Sequence, residues 1–436
     1  MGVASTGSSP GFGDVHLESG NMKVLIIAAA FPPLRAGDAD HTLYLCQHLA
    51  ARGLDIHVLT TRKEGIPGNL PFQVYPLMQN WTWSDVPRLA KFVKHCAPEA
   101  VLLMYSGWIY NNHAMITFVP TLTKLLLPGV HFVTQFEIDY LSRRFSLLTR
   151  AILKATPRWT RPENAERLFF GTLLGHSDRL IVLSERHQAK FAESFPKTGS
   201  KTVVIPPPPL IRLCPENNGV FRQRGRRALH IEPDDFLLAY FGYIYASKGV
   251  DTLLRAFQIV SNQRSNVRLV MIGGSIGTPN APSYPQEIYE LSKTLGIADK
   301  VIWTGEFTWD NDQASVYLHA ADACVLPFNE GVLLNRSSLA AAAYHGLPIV
   351  TTKGMFLESP FIHQKNVLLC PPRDPQSLAL AIDSLISNPE LRQRLHIGAL
   401  ELAHEWFSWD KAVERTIEAL KRVDFANAKQ SKNHLL

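Results

Sequence analysis

One stretch, Ala323–Thr352 (ACVLPFNEGVLLNRSSLAAAAYHGLPIVTT), constrains the chain more than any other, because it reads as strand, loop, helix, turn and strand. Ala323–Leu326 is an apolar run closed by Pro327, the pattern of a parallel strand buried on both faces. The loop Phe328–Arg336 carries Glu330, Gly331, Asn335 and Arg336. Ser337 or Ser338 is placed to cap a helix that the alanine-rich run to Tyr344 propagates. Gly346 at the C′ position and Pro348 stop it, and Ile349–Thr352 is the next strand. A loop leaving the carboxyl end of a parallel strand and opening on a helix start is where open α/β sheets bind ligands. The unpaired N–H groups of that helix start favour an anion, and Arg336 adds a fixed positive charge. Glu330 cannot share a phosphate and suits sugar hydroxyls. The same residues also fit an ordinary βαβ unit with a solvated loop.

The strand–helix alternation recurs along the chain. Lys23–Phe31 is a buried strand, Pro32–His41 a loop containing Gly37, Thr42–Arg52 a helix ended by Gly53, and Ile56–Thr60 a strand. No G-x-G-x-x-G fingerprint accompanies this unit. Val101–Met104, His131–Phe136, Arg179–Ser184 and Thr202–Ile205 read as further strands, and Pro206–Pro209 as a stiff linker. A second series follows: Phe236–Gly242, the loop Gly242–Gly249, a helix Asp251–Val260, and strands at Val267–Gly274, Val301–Phe307 and Val367–Leu369. Trp406–Lys421 reads as one long amphipathic helix. A chain of 436 residues suits two or three domains. The expected division is a disordered tail over 1–21, one domain over 22–206, a second over 207–402, a helix packing back over 403–425, and a tail over 426–436.

Bulk properties narrow the function. Hydrophobic residues make up 46% of the chain, ample for globular cores. No uncharged apolar run is long enough to span a bilayer; Ala114–Val133 is broken by Pro120, Lys124 and Pro128. Met1–Asn21 lacks the apolar core of a signal peptide. The five cysteines are scattered without a C-x-x-C pair, which argues for reduced thiols, a cytoplasmic setting and no zinc site. The net charge of +6 is mild. It concentrates in Leu141–Arg161, whose Arg143, Arg144 and Arg150 interleave with apolar residues; that segment suits either peripheral contact with an anionic membrane or a surface helix packed on its own domain. The cluster Arg222, Arg224, Arg226 and Arg227 reads as a solvated helix face. No Ser/His/Asp or Cys/His constellation, Walker A loop or aromatic–basic nucleic-acid surface is present.

Taken together, these residues resemble the retaining glycosyltransferases of family 4, which have the GT-B fold. In that family a strand ends in Pro, then come E-G, a second Glu completing E-x7-E, and A-x-x-x-G-x-P-V; Pro327, Glu330, Gly331, Gly346, Pro348 and Thr351 fit. Ser338 stands where the second Glu belongs. The family's Gly-Gly loop appears as Ala36-Gly37, and its G-R-x-x-x-x-K-G as Gly242-Tyr243 with Lys248-Gly249 in register, so that Arg336 is placed to substitute for the missing Arg. Glu137 follows the strand that relatives end with a His. The resemblance implies an α/β chain with two Rossmann-like parallel-sheet domains facing one cleft and a C-terminal crossover helix. It implies transfer of a sugar from a nucleoside diphosphate sugar to a hydroxyl of a glycan, lipid-linked or small-molecule acceptor, with no cofactor and no metal. Lys248 and Glu330 would act in catalysis. Gly37, Tyr243, Lys248, Glu330, Gly331, Asn335, Arg336, Ser337 and Ser338 would hold the donor, with its base near Gly305, Glu306 and Phe307. Asp38, Asp40, His41 and Glu137 would face the acceptor. A same-fold phosphorylase or epimerase, or a sugar-nucleotide binder without turnover, are the alternatives.

Overall fold

The computed structural model describes residues 21–137, 170–214, 219–274 and 283–422. The basic segment at 141–161, the N-terminal residues 1–20 and the tail at 426–436 lie outside the described residues.

Two parallel sheets organise the chain. The first holds β1 (Lys23–Ile27), β2 (Asp55–Thr61), β3 (Gln73–Met78), β4 (Ala100–Tyr105), β5 (His131–Phe136), β6 (Arg179–Val182) and β7 (Thr202–Val204) in the order β3-β2-β1-β4-β5-β6-β7. The second holds β8 (Phe236–Phe241), β9 (Val267–Ile272), β10 (Val301–Trp303), β11 (Ala323–Leu326), β12 (Ile349–Thr352) and β13 (Leu368–Cys370) in the order β10-β9-β8-β11-β12-β13. Neighbouring strands pair in parallel throughout, as in Val24↔Ile56 and Cys324↔Ile349. Both faces of each sheet are covered, which is why β4, β5 and β11 are buried along their whole length instead of alternating. The strand order reverses at β1/β4 and at β8/β11. Crevices therefore open beyond the carboxyl ends of those strands, and the loops after β1, β8 and β11 line them.

Several elements depart from the sequence reading. The edge strand β3 has no counterpart there, because a half-exposed strand interrupted by Pro76 carries little apolar signal. The first helix runs Gly37–Ala51 and so begins before Thr42; its opening turn contains Asp38 and Asp40, which suit a helix N-terminus but show no apolar periodicity. The arginine cluster is not a solvated face throughout. Arg222 donates to the carbonyls of Ala320 and Ala321 and pairs with Asp322, and Arg226 joins it. Gly225 permits this close approach, since a Cβ there would lie 2.4 Å from the Val316 carbonyl oxygen.

Pro206–Pro209, read from the sequence as a stiff linker, is buried, with the Trp409 indole donating to the Pro209 carbonyl at 3.1 Å. The C-terminal stretch is two helices, Pro389–Trp406 and Trp409–Leu420, with Ser408 capping the second. The break lies between two cores: Phe407 packs in the second domain, whereas Ala412, Val413, Ala419 and Leu420 pack on the first sheet. All five cysteines are free and buried.

Candidate active site

A cavity of about 460 Å³ lies between the two sheets, within the range of small-molecule sites. The second domain forms its cationic wall. Gly249, at φ +70°, closes the loop after β8 and starts the helix Val250–Gln263; a Cβ there would lie 2.0 Å from the Pro327 carbonyl oxygen. The loops after β8 and β11 therefore press together, and Asn329 fastens them by donating from its amide N–H to the Ser247 carbonyl (3.1 Å) and from its side chain to Ala246 (2.7 Å). Lys248 Nζ consequently lies 5.0 Å from the Phe328 ring centre, and the Arg336 guanidinium sits 5.0 Å from the same ring.

Neither cation ion-pairs with a carboxylate among the described residues. Burial, reinforced by the Arg336 charge, pushes the Lys248 ammonium down to about 7. Burial likewise lowers Arg336. Around them Arg336 Nε, Asn335 Oδ1 and Ser338 Oγ are buried without a hydrogen-bond partner. Each such orphan costs about 1–3 kcal/mol. A buried lysine and a half-buried arginine without carboxylate partners, beside unsatisfied polar atoms, could accept an anion that also offers donors and acceptors.

The first domain forms the opposite, acidic wall. His41 Nδ1 meets Glu137 Oε2 at 2.9 Å, and the Gln135 amide donates to Glu137 Oε1 at 2.7 Å. Burial opposes the His41 imidazolium, but Glu137 and Asp38 outweigh it and the group is raised. Burial and the Glu137 charge push Asp38 up to about 7; burial and Asp38 do the same to Asp40. Gly37 opens onto the cavity, with nothing within 4 Å of where its Cβ would lie. Arg35 ion-pairs with Glu306 across the mouth, and the Tyr44 hydroxyl donates to the Trp309 carbonyl at 2.9 Å.

Of the residues singled out in the sequence, Gly37, Asp38, Asp40, His41, Glu137, Tyr243, Lys248, Glu306, Phe307, Asn335, Arg336, Ser337 and Ser338 line this cavity. Gly305, Glu330 and Gly331 do not. Gly331, at φ +90°, packs against Gly354 so closely that a Cβ would lie 2.2 Å from the Gly354 nitrogen. The Glu330 side chain beside it is 60% exposed and faces Arg186 at 3.7 Å. Ser337 and Ser338 are the first residues of the helix Ser337–Tyr344 and not its cap; Arg336 holds the cap position and makes no side-chain cap bond.

Glu306, expected near the base, uses its carboxylate on Arg35. Sequence reasoning passed over Tyr245, Trp108, Arg212 and Trp309, which also line the cavity. Tyr245 sits in the loop Gly242–Gly249 and was within reach of that motif; the others are brought in by tertiary structure alone. Among the described residues no group of three or more His, Cys, Asp or Glu side chains could hold a metal ion, and no helix is long and apolar enough to cross a membrane.

Comparison with known proteins agrees with this architecture. Residues 221–401 match the model of the glycosyl transferases group 1 family. D-inositol 3-phosphate glycosyltransferases from Thermomonospora curvata and Actinosynnema mirum are similar, at 27% identity over 250 residues (56% of each chain) and 28% over 260 residues (57% of this chain, 58% of that one). The chain thus spans just over half the length of these curated relatives. Anabaena HepE, solved in complex with UDP and glucose, shares the fold with a TM-score of 0.68 at 15% identity, over 92% of this chain and 99% of its own. Residues 221–401 thus resemble the group 1 glycosyl transferases, and the two Rossmann-like domains make the GT-B fold.

Proposed function

We propose that the chain transfers a sugar from a nucleoside diphosphate sugar to an acceptor hydroxyl, with retention of anomeric configuration and without a metal. The observation that carries this is the pair Lys248 and Arg336, buried or nearly so, without carboxylate partners, and flanked by unsatisfied Arg336 Nε, Asn335 Oδ1 and Ser338 Oγ. A diphosphate supplies the missing negative charge, and the cations stabilise it as the bond to the sugar breaks. Ser337 and Ser338 present the helix start to the same group. The departing diphosphate oxygen takes the acceptor proton, so the second domain needs no carboxylate base. Tyr243 replaces the family's arginine as a half-buried wall of the cavity. The His41–Glu137 pair and Asp38 orient the acceptor. UDP, found with the HepE fold relative, is the first donor nucleotide to test.

The position of Glu330 outside the cavity favours a second reading, a sugar-nucleotide binder without turnover. A donor screen read by release of nucleoside diphosphate separates the two. Turnover that is lost in Lys248→Met and Arg336→Gln supports transfer. Nucleotide binding by the parent without release from any donor supports the binder, and equal turnover by parent and both variants refutes the site.

A further inference from the structure

We infer that Glu358 is a positioning residue: one buried carboxylate couples the relative placement of the two domains to the shape of the donor loop. The inference rests on the donor reading above only in naming what that loop holds.

Val332, Leu333 and Leu334 are buried, so the Leu334 amide needs a hydrogen-bond partner within the protein. Glu358, 1% exposed, provides one: its Oε2 accepts from Leu334 N. Its Oε1 accepts from Arg186 N at 2.9 Å, and Arg186 lies in the first turn of the helix Glu185–Ser194 of the first domain. A residue of the second domain therefore accepts a first-turn N–H of a first-domain helix whose own cap is Ser184, where a carboxylate is favoured by the dipole. The exchange is reciprocal, because Glu185 Oε2 accepts from Ser359 N at 2.7 Å.

Leu334 directly precedes Asn335 and Arg336, whose Oδ1 and Nε are among the orphaned atoms in the cavity. The Glu358 charge also acts on Arg336. The same helix start aims the Arg186 guanidinium at Glu330, 3.7 Å away. Glu358 cannot keep both of its bonds if the domains part. Opening the cleft thus releases either Leu334 N or Arg186 N, and closing it fixes the backbone that presents Asn335 and Arg336.

The test uses the full chain. Glu358→Gln keeps the shape but leaves one oxygen to serve two N–H groups. Arg186→Pro removes the donor from the first-domain side at a helix position that tolerates proline; Arg186→Ala keeps the N–H and controls for the lost guanidinium. Spin labels on the two domains report the width of the cleft, and UDP, GDP and ADP are the probes for binding.

The expected result is a broadened or lengthened interdomain distance in Glu358→Gln and Arg186→Pro but not in Arg186→Ala, with circular dichroism unchanged. Affinity for the nucleotide that the parent binds should weaken about tenfold. The Glu358→Gln and Arg186→Pro effects should not add in the double variant. An unchanged distance distribution in both variants, or additive effects, overturns the inference. Should the parent bind none of the three nucleotides, the donor reading fails, while the distance measurement still decides the role of Glu358.

Discussion

Lys248 makes the reading quantitative. Burial and the neighbouring Arg336 charge lower its ordinary value of 10.5 to about 7. Holding the ammonium charged there costs on the order of 5 kcal/mol, at about 1.4 kcal/mol per pH unit. A diphosphate bound beside it removes that cost and returns the group to the ammonium form. Nucleoside diphosphate binding must therefore take up a proton above neutral pH. At pH 8 only about a tenth of the free protein carries the Lys248 proton, so uptake should approach roughly 0.9 proton per site. Affinity should fall by up to about tenfold per pH unit above pH 7, until the raised value in the complex is reached.

Calorimetry of UDP, GDP and ADP binding in buffers of different ionisation enthalpy measures this directly. Lys248→Met should bind more weakly and without proton uptake. Binding at pH 8 with no proton uptake by the parent, or the same uptake in Lys248→Met, refutes the argument. The ligand-free protein gives an independent check. Between pH 7 and 10.5 the unfolded chain holds a proton that the native chain has released, so this group makes stability rise with pH across that window.

Other outcomes follow from the same geometry. Arg336→Gln should weaken nucleotide diphosphate binding about tenfold or more while sparing the unfolding midpoint, as measured by titration and thermal melting; equal affinity would remove Arg336 from the site. Gly249→Ala should destabilise the second domain by about 2–4 kcal/mol, because it combines a φ of +70° with a contact 2.0 Å from the Pro327 carbonyl, and chemical denaturation should show the loss. Glu137→Gln removes the charge that raises His41, so the imidazole should titrate at lower pH by NMR; an unmoved midpoint would show that the pair does not act as described. Raising the salt concentration should weaken nucleotide binding in the parent less than it weakens the exposed Arg35–Glu306 pair, since the cavity cations are screened poorly.

The local signals carried the architecture. Lys23–Ile27, His131–Phe136 and Ala323–Leu326 are readable as buried strands because a sheet covered on both faces demands unbroken apolar runs. Gly249 and Gly331 are readable because close backbone approach and positive φ leave few alternatives to glycine. Lys248 and Arg336 are readable because each sits in a loop after a central strand, where α/β sheets place ligands. Sequence alone thus determined two parallel-sheet domains and the cationic loops that face their shared cleft.

It could not decide which charges meet. Glu330 turns toward Arg186, Glu306 toward Arg35, and Glu358 joins Leu334 to Arg186, each across well over a hundred residues of chain or between loops of different domains. Periodicity and propensity act between neighbours along the chain. Pairing of charges, burial of Lys248 and the resulting fall in its proton affinity depend on distances set only once the two sheets are packed and the cleft between them has excluded water.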